Sequence, residues 1–332
     1  MQPIDHRIDR LARRLKLKDL HTFHAIVRLG SMSKAAAEVA LTPPAVTKVI
    51  GDMERLLGVK LLERTSKGVT ATAYGEALIT GSVNLFDDLK NTLEQIEFLA
   101  DPTIGEVRVN WSAAWLGSVL PLVIDRISRQ YPKIAVNVTT ANSNQEQVRA
   151  LQSRDVDLCF KRFSRQPEEG LELEALFDDP MVVVTSRENK RFRGRSVKLA
   201  QLVGEPWCLP DASSPSTIYV MQAFQAASLP LPHVSVHCLS MELQAALAAT
   251  GRFLTVLPAS YLRLNTTTTS LRVLPVALGI DPPPVGIVTL RNRTLSPATN
   301  LFVHTLRAVV KEAKLIRADE SPTLRYAGAV NS

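Results

Sequence analysis

The sequence predicts two architectures in one chain: an N-terminal α-rich winged helix-turn-helix carrying a long linker helix, then a C-terminal α/β domain of two lobes. Three observations predict this. Two short helical patterns flank a Thr42-Pro43-Pro44 turn, a leucine stripe runs at helical spacing from residue 73 to 100, and strand and helix patterns alternate from Ile104 onward.

The first helix spans about Ser33 to Ala40 and turns Ala35, Ala36, Val39 and Ala40 to one face. Small alanines let a second helix approach closely, and Leu41 is expected to fill the space beneath the turn. Thr42 suits an N-cap and Pro43 the first helical position, where a missing N–H costs nothing. The second helix directs Val46, Val49, Ile50, Met53, Leu56 and Leu57 inward and Pro43, Pro44, Thr47, Lys48 and Asp52 outward, and Gly58 stops it. Val59–Arg64 then reads as a strand, 65–68 as a turn and Val69–Thr72 as the returning strand, a β wing. An exposed helix start with hydroxyl and basic groups is suited to a DNA major groove. Arg64 and Lys67 on the wing suit phosphates, which give register rather than base choice. An ordinary helical hairpin with a solvated basic edge has the same spacing.

Residues 73–100 form one expected helix, with Leu78, Leu85, Leu89, Leu93, Ile96 and Leu99 on a stripe and Asp87, Asp88, Lys90, Glu94 and Glu97 off it. The stripe fits a helix pair between two subunits; its alternative is an amphipathic helix folded onto its own domain. Asp101-Pro102 ends it.

Beyond it, strands are expected at 106–110, 135–140, 156–160, 180–185, 207–209, 234–238, 254–257 and 285–290, with helices at 116–130, 144–153, 216–227, 241–250 and 298–314. Alternation of this kind implies parallel sheets that bind ligands at the carboxyl ends of strands. The chain crosses between lobes near Phe177–Pro180 and Ala277–Pro284, making a hinged cleft. Ser112, Asn142, Ser143, Phe160 and Lys161 fall at strand ends of one lobe, and Ser213, Ser214, Ser240 and Met241 at those of the other. Each taken alone reads more readily as a helix cap than as a ligand contact, and it is their place at corresponding strand ends that marks them. Lys161 is the residue best suited to a carboxylate. Arg162, Arg165, Arg187, Lys190, Arg191, Arg193 and Arg195 read as solvated loops.

Composition narrows the function classes. Net charge is +7, and residues 1–73 hold 13 Lys and Arg against 7 acidic residues, as phosphate contact requires. Residues 74–103 hold 1 against 6, and 104–332 hold 25 against 19, so basic charge alone does not single out the first segment. The N-terminal extension carries Arg7, Arg10, Arg13 and Arg14 without an apolar core of signal-peptide length, and no apolar run is long enough to span a membrane. Ile4, Ile8, Leu11 and Leu15 allow an amphipathic helix there; a basic tail is the alternative. Three cysteines, Cys159, Cys208 and Cys238, fit a reducing, cytoplasmic compartment, and Cys159 reads as a core strand residue. An enzyme or solute-binding domain fused to a winged helix is the competing class. It finds no glycine-rich phosphate loop, GxSxG, CxxC or HExxH, and the six histidines form no ligand cluster.

The run Leu20–Phe23, Gly30-Ser31, Ala35-Ala36, Thr42–Lys48, Met53-Glu54, Leu57–Val59 and Leu61–Arg64, closed by Thr72–Gly75, resembles the winged helix of LysR-type transcriptional regulators. Pro43 stands where that family usually has Gln and cannot donate a hydrogen bond to a base, and Leu62 replaces a Phe. Residues 104–315 resemble, more loosely, the family's effector domain, which is similar to periplasmic binding proteins. The resemblance implies an N-terminal extension (1–16), a DNA-binding domain (17–75), a dimerisation helix (76–103), an effector domain and a tail (316–332). Lobe I would hold about 104–179 and 280–315, and lobe II about 180–279. It also implies Ser31, Ser33, Thr42, Pro43, Pro44, Thr47, Lys48, Arg64 and Lys67 as the DNA contacts, and the nine strand-end residues above as effector contacts. The implied partners are double-stranded DNA, a small-molecule effector of anionic character, a second copy in a homodimer or homotetramer, and RNA polymerase, with no cofactor, metal or membrane.

Overall fold

The computed structural model describes residues 13–315 except 66–67, 142, 164–168, 193–195, 266–267 and 280–281. It divides into two compact units between Lys90 and Asn91. No described helix is long and apolar enough to cross a membrane.

The first unit opens with α1 (Leu17–Leu29), α2 (Met32–Glu38) and α3 (Pro43–Leu57). The Ser31 hydroxyl caps α2 by accepting from the Lys34 N–H, and Thr42 caps α3 by accepting from Ala45, both at 3.4 Å. Gly58, at φ 75°, closes α3 with its N–H on the Glu54 carbonyl. Helix α2 starts and ends earlier than its alanine pattern suggested. Ala40 is left-handed at φ 53°, and the Leu41 N–H reaches back to the Ala36 carbonyl, a helix-ending arrangement that turns the chain out. Leu41 is consequently 42% exposed and does not fill the turn. Phe23, Ile26, Ala35, Val46, Ile50, Met53 and Leu61 form the core. Full burial of each larger side chain contributes about 1.5–3 kcal/mol.

The wing is β1 (Leu62–Thr65) paired antiparallel with β2 (Gly68–Ala71), Arg64 opposite Val69. Glu54 anchors it: its carboxylate accepts from the Leu61 N–H at 2.9 Å and from Lys60 Nζ at 2.6 Å. Helix α4 covers Ala73–Ala100. Gly75 in its first turn admits no side chain, because a Cβ there would lie 2.2 Å from the Leu61 carbonyl oxygen.

The second unit carries two cores. Strands β3 (Ile104–Trp111), β4 (Lys133–Thr139), β5 (Leu158–Arg162), β6 (Leu171–Phe177) and β12 (Val285–Leu290) form one sheet in the order β4-β3-β5-β12-β6. Helices α5 (Val119–Gln130) and α6 (Asn144–Gln152) connect β3 to β4 and β4 to β5, and both strand pairs around β3 are parallel. Strand β12 returns from the other lobe and runs antiparallel to β5 and β6, so the sheet is mixed rather than wholly parallel. Val107, Val109, Trp111, Val123, Ile127, Phe302 and Leu306 lie in its core, the last two on α10 (Pro297–Glu312).

In the second lobe β8 (Trp207–Leu209) pairs parallel with β9 (Val234–His237), while β7 (Met181–Ser186) lies antiparallel between β10 (Thr255–Pro258) and β11 (Leu271–Val273). Helices α7 (Pro215–Ala226), α8 (Met241–Ala249) and α9 (Ala259–Leu264) complete it. Strands β6 and β11 and helix α9 escaped the sequence pattern. The first is an edge strand with charged Glu172 and Glu174, and the other two are short. The N-terminal helix expected around Ile4, Ile8 and Leu11 and the tail 316–332 lie outside the described residues.

Candidate functional site

In the first unit the start of α3 stands clear of the core. Thr42, Pro43, Pro44, Thr47 and Lys48 are exposed, as is Ser33 on α2, whereas Ser31 is half-buried and its hydroxyl is engaged as the α2 cap. Val46, Ile50 and Met53 bury the opposite face, so packing rather than propensity orients the exposed one. Arg64 lies on β1, and Lys67 falls outside the described residues. The surface can therefore present hydroxyls, a proline-capped helix start and an ammonium group to a duplex groove.

Helix α4 docks on this head through His24. Its Nε2 lies 2.6 Å from the Ser82 hydroxyl, and its ring meets Phe86 edge-on. Ser82 donates its own hydrogen to the Leu78 carbonyl, so His24 Nε2 is the donor to Ser82. Burial, with nearby His21 adding to it, holds the His24 pKa below the ordinary 6.5. The unfolded chain then takes up this proton first. Stability from His24 is complete above about pH 6.5 and declines as pH falls through the folded-state value. Urea midpoints from about pH 5 to 8 should show this slope, and His24→Gln should flatten it.

Leu78 packs, partly buried, against the head's core, unlike the rest of the stripe. Leu85, Leu89, Leu93, Ile96 and Leu99 stay between 40% and 82% exposed, a row of large apolar side chains along one helix.

In the second unit the first-lobe candidates converge at the carboxyl ends of β3, β4 and β5. The Ser112 N–H donates to the Phe160 carbonyl, and Ser143 caps α6 by accepting from Glu146. Lys161 is 3% exposed and donates to the Asn144 side-chain oxygen, so α6 brings a residue the sequence reading missed against the strand-end lysine. Phe160 is corrected. Its ring is fully buried and stacked on Trp111 at 4.0 Å, a wall of the core with no face toward a ligand. Asn142 lies outside the described residues.

The second-lobe candidates also sit beyond parallel strand ends. Ser213 donates to the Asp211 carboxylate, Ser214 meets Ser216 at 3.1 Å, and Ser240 caps α8 from just before half-buried Met241. These hydroxyls hold local turns and helix starts.

Arg162 does not sit in a solvated loop. It ends β5 and donates to the carbonyls of Asp179 and Pro283, both at 2.6 Å. Arg191 pairs with Glu205 at 2.9 Å, and Arg187 donates to the Leu271 carbonyl. Arg165, Arg193 and Arg195 lie outside the described residues. The visible signal for Arg162 was its place beside Lys161 at a strand end. Burial pushes the Cys159 thiol up to about 12 and that of Cys208 up to about 11, so neither is poised as a reactive thiolate.

Two family models match the chain: the bacterial regulatory helix-turn-helix protein, lysR family, over residues 17–76, and the LysR substrate binding domain over residues 100–311. The chain is 28% identical to the HTH-type transcriptional regulator GbpR of Azospirillum brasilense over 94% of its own length and 91% of the relative's. It is 26% identical to an uncharacterized HTH-type regulator, YdcI, of Escherichia coli, over 89% and 96% of the two lengths. Among solved structures, a full-length OxyR variant from Pseudomonas aeruginosa aligns with a TM-score of 0.63 at 18% identity, covering 91% of this chain and 96% of that one. Full-length CbnR, complexed with its target DNA, aligns at 0.50 and 22% identity over 89% and 99%.

Proposed function

The chain belongs to the LysR family of transcriptional regulators, and from that premise we propose that it reads operator DNA as a homodimer, or a homotetramer built from such dimers, under control of a small anionic effector. The observation that carries the DNA reading is the exposed start of α3, where Thr42, Pro43, Pro44, Thr47 and Lys48 face outward beside the wing. Thr47 and Lys48 reach base edges or phosphates in the major groove, with Ser31, Ser33, Arg64 and Lys67 at its margins. Pro43 removes a donor from the helix start, so discrimination shifts to Thr47 and its neighbours. Two heads held by paired α4 helices span half-sites separated by whole helical turns.

For the effector, Lys161 supplies the charge, with Ser112, Asn142, Ser143, Ser213, Ser214, Ser240 and Met241 around the cleft. A carboxylate entering there would meet the buried Lys161 ammonium group beside Asn144, and a charge-assisted hydrogen bond of that kind is stronger than one to a neutral acceptor. Effector and operator then alter each other's affinity reciprocally, and the promoter-bound form acts through RNA polymerase.

Fluorescence-anisotropy titration against its own upstream intergenic DNA and random DNA, across salt, tests the regulator reading. Tight sequence-dependent binding with a steep salt slope is expected. Thr47→Ala and Lys48→Ala should each weaken specific binding by about 1–3 kcal/mol while leaving the dimer intact. Unchanged affinity in both removes them from the interface. With a panel of small carboxylates, Lys161→Ala should spare DNA binding and reduce the apparent effector affinity by about tenfold or more. A full response in a folded Lys161→Ala protein would remove the lysine from the site.

A further inference from the structure

We propose that Asp179 is a positioning residue that couples the loop at Ser112 in one lobe to helix α9 in the other, and so sets the angle between the lobes. The regulatory meaning of this coupling rests on the cleft being the effector site. Asp179 lies on the first crossover, between β6 and β7, and is 2% exposed. Its carboxylate gathers donors from both sides. Trp115 Nε1 donates at 2.7 Å from the first lobe. The Ser260 N–H at 2.9 Å and the Ser260 hydroxyl at 2.6 Å donate from the start of α9.

Trp115 closes the short 3-10 turn that follows Ser112, and its N–H donates to the Ser112 carbonyl at 3.0 Å. Displacement of Ser112 by a bound ligand is therefore transmitted to the indole. Arg162, next to Lys161, lies 5.6 Å from the Trp115 ring and holds the Asp179 carbonyl on the first crossover and the Pro283 carbonyl on the second. Both crossovers are thus tied to the strand end that carries Lys161.

Chain continuity alone would not need a carboxylate at a hinge. A buried carboxylate is tolerated where donors meet it, and here those donors come from different lobes. The lobe arrangement that unites Trp115 and Ser260 around Asp179 is stabilised over arrangements that part them. Such a bistable element can be biased by a ligand at one end.

Pulsed electron paramagnetic resonance on the full-length protein tests this without DNA or effector. Spin labels on Asp125→Cys in α5 and Gln222→Cys in α7, in a Cys238→Ser background and diluted with unlabelled protein, report the distance between lobes. The parent should give one narrow distribution. Asp179→Asn, which keeps the shape but turns a donor toward Trp115, should broaden it and add a second maximum. Trp115→Phe and Ser260→Ala, which each delete one donor, should broaden it less, and they carry the test if Asp179→Asn does not fold. An unchanged distribution in folded Trp115→Phe and Ser260→Ala proteins overturns the proposal. Failure of the effector reading itself would show separately, as a carboxylate response unaffected by Lys161→Ala.

Discussion

Leu93→Glu combined with Ile96→Glu is expected to leave the protein monomeric and to lower its operator affinity by at least about two orders of magnitude. Both side chains are more than half exposed on α4, in line with Leu85, Leu89 and Leu99. A stripe of this size on an exposed helix face gains by being buried against a second copy. Two glutamates would place four carboxylates in a paired apolar seam, where desolvation and like-charge repulsion oppose association. Each head would then bind alone, and the gain from holding two half-sites at once, of the order of 10²–10⁴, would disappear. Sedimentation equilibrium and anisotropy on the same preparation check both halves. A dimer that persists in the double variant would place the subunit interface elsewhere.

Asp157→Ala should destabilise the second unit by about 3–5 kcal/mol, the usual consequence of stripping one partner from a buried ion cluster. Asp157 Oδ1 accepts from Arg293 at 2.8 Å and from Arg108 at 2.7 Å, and Oδ2 accepts the Arg108 backbone N–H. The Arg293 side chain is only 2% exposed and also donates to the Val156 carbonyl, so Asp157→Ala takes a carboxylate partner from a buried guanidinium. The cluster fastens the start of β5 to β3 and to the segment entering α10. Urea denaturation followed by far-ultraviolet circular dichroism measures the loss. Arg293→Met in the Asp157→Ala background should recover part of it by removing a buried charge that has lost a carboxylate. A loss below about 1 kcal/mol would mean that the cluster is not energetically coupled as its geometry indicates.

Local chemistry made the recognition helix and the linker helix legible. Thr42, Pro43 and Gly58 specify a start and a stop through a hydroxyl cap, an absent N–H and a left-handed residue, none of which depends on distant partners. The α4 pattern survives for the same reason, as its apolar spacing is a property of one continuous helix. Strand ends were legible where alternation was clean, so Ser112 falls just after β3, Ser143 at the cap after β4 and Lys161 near the end of β5. Phe160 was misplaced because adjacent residues on a strand face opposite sides, and the sequence does not state which side Lys161 takes.

By itself, then, the sequence determined the order of the longer elements, the exposed start of α3, the apolar stripe of α4 and the strand ends that bear polar groups. These follow from interactions between residues within about four positions of each other, or from a single repeating period. Only the tertiary structure decided that β12 runs antiparallel beside β5, that Asn144 is a partner of Lys161, that Arg162 holds two crossovers, and that Asp179 stands between Trp115 and Ser260. Those partners lie 17 to 121 residues apart, and folding brings them together because buried charges and polar groups require hydrogen-bond partners wherever in the chain these reside.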